Sequence, residues 1–150
     1  MTNSEFVYVT YIRTTPEKLW LALTNAEFIK QYWFGMHCEC AWETGASWKM
    51  VFEDGRIADA GEIIEIDPPK RLVLKWRNEW KSEMKAEGYS RCTFDLEYLT
   101  GAMKLTVTHA IDRDRSKFIE AVSSGWPQVL SNLKSLLETG TVALIEHGGH

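Results

Sequence analysis

The chain has 150 residues, 45% of them hydrophobic and 25% charged, with a net charge of −4, an ordinary globular composition with enough length to bury a core. No segment concentrates Lys and Arg, which excludes a nucleic-acid footprint, and no apolar run approaches a membrane span. Three cysteines argue against a disulfide framework, and MTNSEFVYV lacks a charged-then-apolar signal pattern, so the expected location is cytoplasmic.

Residues 5–13 (EFVYVTYIR) are rich in β-branched and aromatic side chains and predict a first strand. Thr14 or Thr15 can cap a short helix with Pro16 at its first position, and Asn25 can cap a second over 26–32. Six strands are predicted next, over 36–40, 47–53, 57–66, 71–77, 89–99 and 102–111. Asp54-Gly55 and Thr100-Gly101 supply hairpin turns, and Asp67-Pro68-Pro69 a turn that no central strand tolerates. The charged segment 78–88 is a longer connection, expected as a rim or lid and as the moving part of the fold.

The last element, 115–138, carries Phe118, Val122, Trp126, Leu130 or Val129, Leu133 and Leu137 at three- and four-residue steps, one wide apolar helix face. Pro127 removes a backbone donor and predicts a kink or fresh start near Ser124. Thr139-Gly140 ends the helix, and 141–150 are expected to form a disordered tail.

Alternation assigns strand faces. Trp48, Met50 and Phe52 share one face, as do Leu72, Leu74 and Trp76, then Cys92, Phe94, Leu96 and Tyr98, then Met103, Leu105, Val107 and His109. Four strands with one dry and one wet face describe an antiparallel sheet covered on one side, and only the last helix is large enough to cover it. The expected fold class is α+β, one domain over 1–140 with element order β-αα-β6-α, its sheet wrapped around the C-terminal helix.

PEKLWLALTNAEFIKQYWFG, GEIIEIDPPKRLVLKW, VTHAID and GWPQVLSNLKSLLETG occur in the order found in the START-like (SRPBCC) superfamily. Together they most resemble its bacterial branch related to the activator of the heat-shock-protein-90 ATPase, across residues 5–140. The resemblance implies a helix-grip fold, a curved seven-stranded antiparallel sheet gripping the terminal helix around an interior cavity. The superfamily includes ligand carriers, chaperone activators and polyketide cyclases, so the resemblance alone selects no activity. The matching segments are turns, helix ends and core positions, and no catalytic residue is carried over.

The candidate ligand-binding residues are Trp48, Met50, Trp76, Phe94 and Tyr98 from the sheet, His109 in phase with them, and Trp126 from the helix. Such a set reads either as packed core or as the lining of a pocket for an apolar or aromatic molecule. His109 reads either as a core histidine bonded to a carbonyl or Tyr, or as a ligand anchor or general base, with Glu62 as the one nameable carboxylate partner. His37-Cys38-Glu39-Cys40 offers two thiols on one strand face, but i,i+2 is not a usual zinc spacing and no second pair completes four ligands, so no metal and no cofactor is expected. Trp33 and Phe34 are expected to plug the open end of the fold, with a protein-contact surface as the other reading.

The functional expectation is non-enzymatic binding of a hydrophobic or aromatic small molecule between sheet and helix. The alternatives are a chaperone-activator-like interaction module, with a chaperone or other protein as partner, and a cyclase-like enzyme using His109. Nucleic acid and a membrane span are not expected.

Overall fold

The computed structural model describes residues 3–148. In chain order they form β1 (Ser4–Ile12), α1 (Pro16–Thr24), α2 (Ala26–Tyr32), β2 (His37–Cys40), β3 (Ser47–Val51), β4 (Ile57–Asp67), β5 (Arg71–Asn78), α3 (Ser82–Lys85), β6 (Ser90–Leu99), β7 (Ala102–Ile111) and α4 (Lys117–Thr139). The strands make one antiparallel sheet in the order β1-β7-β6-β5-β4-β3-β2. Every neighbour after the β1–β7 pair follows from a sequential hairpin. The sheet curves around α4, which is the helix-grip arrangement expected from the sequence.

The caps follow the chemistry of the chain. Thr15 accepts from the Lys18 N–H at the start of α1, and Asn25 accepts from the Glu27 and Phe28 N–H groups at the start of α2. Ser116 accepts from Ile119 N–H to open α4, and Gly140, in the left-handed region, closes it. Phe118, Ile119, Trp126, Val129, Leu130, Leu133 and Leu136 are buried along α4 and meet Leu72, Leu74, Phe94, Leu105 and Val107 of the sheet in one core cluster.

Four expectations are corrected. No fresh start occurs at Pro127, because α4 runs unbroken through it. The lost bond lies beside exposed Ser124, whose carbonyl accepts from the Gln128 side chain at 3.0 Å, so a polar partner stands close to the break.

Residues 141–148 are not a loose tail. They return along α4, where Asn132 exchanges hydrogen bonds with the backbone of Leu144 (2.9 and 2.7 Å) and Gln128 does the same with Gly148 (2.8 and 2.7 Å). Residues 149–150 lie outside the described residues.

Segment 78–88 contains the short helix α3, buries Met84, and is tied down at its end by Glu87. That carboxylate accepts from Ser116 Oγ (2.5 Å) and Lys117 N–H (2.9 Å). The segment was expected to have few holding contacts; apolar burial and a charge-assisted pair supply them.

The inward face of β4 is the fourth correction. Its first half points Asp59, Gly61 and Ile63 inward, so Glu62, expected as the carboxylate partner of His109, lies on the other face, and the register shifts against β3 at Met50/Val51 and against β5 at Ile63/Glu65. Gly61 is there because a Cβ would sit 1.6 Å from the Lys75 carbonyl oxygen. Its bare backbone also separates Trp48 and Trp76, whose rings meet across it at 4.4 Å.

Candidate ligand cavity

A cavity of about 390 Å³ opens at the end of the grip nearest the start of α4. Trp33, Phe34 and Met36 line it from the turn after α2, with Phe52 beyond β3. Ala58 and Asp59 of β4 and Trp76 and Asn78 of β5 form its floor. Trp80, Lys81 and Met84 roof it, while Phe118, Val122, Gly125 and Trp126 of α4 make one wall. His147 of the returning tail completes the rim and packs its ring on Phe34 at 5.3 Å. Trp33 stands edge-on to Trp126 at 5.5 Å, and Trp80 edge-on to Phe52 at 5.3 Å.

The expected ligand residues divide. Trp76 and Trp126 line this cavity. Trp48, Met50 and Phe94 are buried deeper, around a void of about 30 Å³, roughly the volume share of one water. Tyr98, two residues before the Thr100-Gly101 turn, is 61% exposed and lines neither space. His109 is fully buried and lines neither space.

His109 is a tie between sheet and helix. Ser90 donates its hydroxyl to the Trp76 carbonyl at 2.7 Å, which leaves its lone pairs to accept from His109 Nε2–H at 2.8 Å. Nδ1 then accepts the indole N–H of Trp126 at 3.1 Å. The ring is therefore the Nε2–H tautomer, neutral, with both nitrogens satisfied. Burial depresses its pKa from 6.5 to about 3. Glu62 is not its partner; it faces Lys75 at 3.7 Å, and both side chains are half-exposed. The ring has no spare nitrogen for a base or an anchor.

The acidic group lining the cavity is Asp59. Removal from water raises its carboxyl from 3.8 to about 7; the Trp76 indole N–H opposes part of that shift, and the charge of Glu79 adds to it. That N–H lies close enough to act on the carboxyl but completes no hydrogen bond, and is one of two buried side-chain atoms without a partner among the described residues, with Thr14 Oγ1. Glu79 itself is spoken for by Arg77 (2.5 Å) and Lys85 (3.3 Å). Asn78 accepts from the Trp80 and Lys81 N–H groups (3.1 and 2.9 Å), which shapes the turn that hangs Trp80 over the opening. The sequence reading assigned no face to this strand and passed over Asp59; the signal was a lone acidic residue in the run Ala58-Asp59-Ala60-Gly61.

The His37-Cys38-Glu39-Cys40 strand divides by face. His37 and Glu39 are exposed and 3.7 Å apart, while the Cys38 thiol is buried and pushed up to about 12. Among the described residues no group of three or more His, Cys, Asp or Glu is placed to hold a metal. No helix among them is long and apolar enough to cross a membrane.

A family model described as Activator of Hsp90 ATPase homolog 1-like protein matches residues 13–138. No curated protein gives a significant match. The X-ray structure of a Mesorhizobium loti protein is 23% identical, with a TM-score of 0.79 over 90% of this chain and 97% of that one. The solution structure of the Aha1 dimer from Colwellia psychrerythraea is 22% identical, with a TM-score of 0.75 over 93% and 98%. An HSP90 activator from Plasmodium falciparum is 24% identical, with a TM-score of 0.74 over 89% and 95%. At these identities the likeness establishes the fold.

Proposed function

We propose that this chain, which belongs to the Activator of Hsp90 ATPase homolog 1-like family, binds an apolar or aromatic small molecule in the cavity between β4, β5 and α4. The observation that carries the reading is the space itself: about 390 Å³, walled by indole and phenyl rings, with a buried carboxyl in its floor. Packing that merely filled the sheet would leave no room there; the deeper aromatic cluster around Trp48 and Phe94 does fill it. A few placed polar groups in a mostly apolar hollow are the usual make-up of a small-molecule site. Trp33, Trp76, Trp80 and Trp126 would supply contact area, and Asp59 orientation.

The enzyme reading loses its base, since both nitrogens of His109 are engaged within the core. The free thiols of Cys38, Cys40 and Cys92 support a reducing, cytoplasmic setting. Native mass spectrometry of protein purified without detergent tests the ligand reading. A complex heavier than the bare chain by a small apolar molecule supports it; bare chain alone, with no apolar compound taken up on later addition, contradicts it.

A second reading rests on a different surface. The edge strand β1 exposes Val7, Val9 and Tyr11 in a row on the outer face of the sheet. Such a stripe suits a protein partner, and the family supports a chaperone. An Hsp90 ATPase assay tests it: stimulation by the chain, abolished by Val7→Lys and Val9→Lys together, supports the contact, and no stimulation contradicts it.

A further inference from the structure

The ligand reading above leaves open which chemical class the cavity takes, and its polar groups narrow that. Asp59 is 9% exposed and pairs with no cation among the described residues, and the Trp76 indole N–H that acts on it completes no hydrogen bond. The charge that acts on it is another carboxylate, Glu79. The titratable groups facing this space are Asp59 from β4, Lys81 from the turn before α3 and His147 from the returning tail, with Glu79 acting from the end of β5. Lys81 holds its ammonium over the outer ring of Trp80, at 4.9 Å, so that cation is already engaged at the rim. The floor is therefore a lone acid under a ring of indoles, an environment that favours positive charge twice, by ion pairing and by the aromatic quadrupoles.

Resting on that reading, we propose that the occupant is an organic cation of the arylalkylamine class, its ammonium on the Asp59 carboxylate and its ring among Trp33, Trp80 and Trp126. The amine supplies the cation that no salt bridge among the described residues gives Asp59. Once ionised, Asp59 accepts from the ammonium through one oxygen and offers the other to the unpartnered Trp76 N–H, which gives that donor its acceptor. A neutral alcohol gains only one of these interactions at full strength, and a carboxylate ligand meets like charge.

Binding then requires Asp59 to lose a proton it largely holds below neutrality. The bond formed is an ion pair, and up to one proton leaves to solvent for each amine bound. Affinity for a cation of constant charge consequently rises with pH through Asp59's range.

The test is a set of tryptophan-fluorescence titrations of the full chain with 2-phenylethylamine, 2-phenylethanol and phenylacetate, each at pH 6 and pH 8. The amine is expected to bind about tenfold tighter than the alcohol at pH 8, and to weaken about tenfold at pH 6, while the alcohol changes little. Asp59→Asn, which keeps the shape and removes a buried acid, is expected to cost the amine about tenfold and the alcohol less than about twofold. Alcohol or phenylacetate binding as tightly as the amine would overturn the assignment of class and leave the apolar-ligand reading standing. Saturation by none of the three would overturn both. Amine affinity unchanged in Asp59→Asn would overturn the role given to Asp59.

Discussion

The indole N–H of Trp126 on α4 ends on Nδ1 of His109 on β7, 3.1 Å away, inside the core. That bond closes a chain from the Trp76 carbonyl through Ser90 and His109 to the helix. It fixes the ring of Trp126 where that ring forms the inner wall of the cavity. A polar tie thus sets the shape of an apolar hollow.

His109→Ala removes the middle of that chain and leaves the Trp126 N–H buried and unpaired. The expected loss is about 2–4 kcal/mol, a cavity cost plus an orphaned donor. Urea denaturation measures it. An anchor role predicts the opposite pattern, unchanged stability with lost ligand affinity.

The pH dependence of stability sets two buried groups against each other. His109 is held neutral when folded (about 3) and would take a proton near 6.5 when unfolded, so it lowers stability as pH falls from 6.5 toward 3. Asp59 is held protonated when folded (about 7) but ionises near 3.8 when unfolded, so it raises stability as pH falls from 7 toward 4. Each slope is about 1.4 kcal/mol per pH unit at most, with opposite sign, and between pH 4 and 6.5 they largely cancel. Asp59→Asn removes one arm. Its stability should exceed that of the wild type above pH 7 and fall with acidification between pH 6.5 and 4, where the wild type stays flatter. Denaturant midpoints across pH check this.

Asn132 is fully buried, and its side chain exchanges two hydrogen bonds with the Leu144 backbone of the returning tail. Removing residues 141–150 strips both of its partners, the Leu144 N–H and carbonyl, and takes His147 from the rim. A loss of about 1–3 kcal/mol is expected, with weaker ligand binding. Asn132→Ala in the full chain should reproduce most of the stability loss while keeping His147. Thermal unfolding of both variants separates the two contributions.

Gly61→Ala places a methyl group 1.6 Å from the Lys75 carbonyl oxygen, a backbone atom that cannot turn aside. β4 and β5 must part at the floor of the cavity. Destabilisation of about 3 kcal/mol or more is expected, above the ordinary cost of overpacking. Gly45→Ala is a poor control because its positive φ strains any side chain; Ala60→Gly in the same strand serves better. Soluble yield and chemical denaturation report the difference.

The element order, the caps at Thr15 and Asn25, the antiparallel hairpins and the gripping helix were legible because each rests on local chemistry. Alternation failed where the backbone departs from period two. The register of β4 shifts at Ile63/Glu65, so its pattern gave no face to read, and Glu62 was named as a carboxylate near His109 while Asp59 was passed over. Tyr98 was in phase yet is exposed near the strand end, because phase gives the face of a strand and not how far its cover extends. His109 was rightly placed inside, yet its partners, Ser90 and Trp126, come from elements whose register alternation does not give. The tail looked loose because its hydrogen bonds go to side chains of α4 in place of a strand or helix of its own.

The most direct measurement is binding of a neutral fluorescent dye, N-phenyl-1-naphthylamine, to the wild type and to Val122→Trp, which fills the cavity from the α4 wall. The account predicts one saturable site in the wild type and its loss in Val122→Trp, with the far-UV circular dichroism of the two proteins unchanged. Equal binding by a folded Val122→Trp would contradict it.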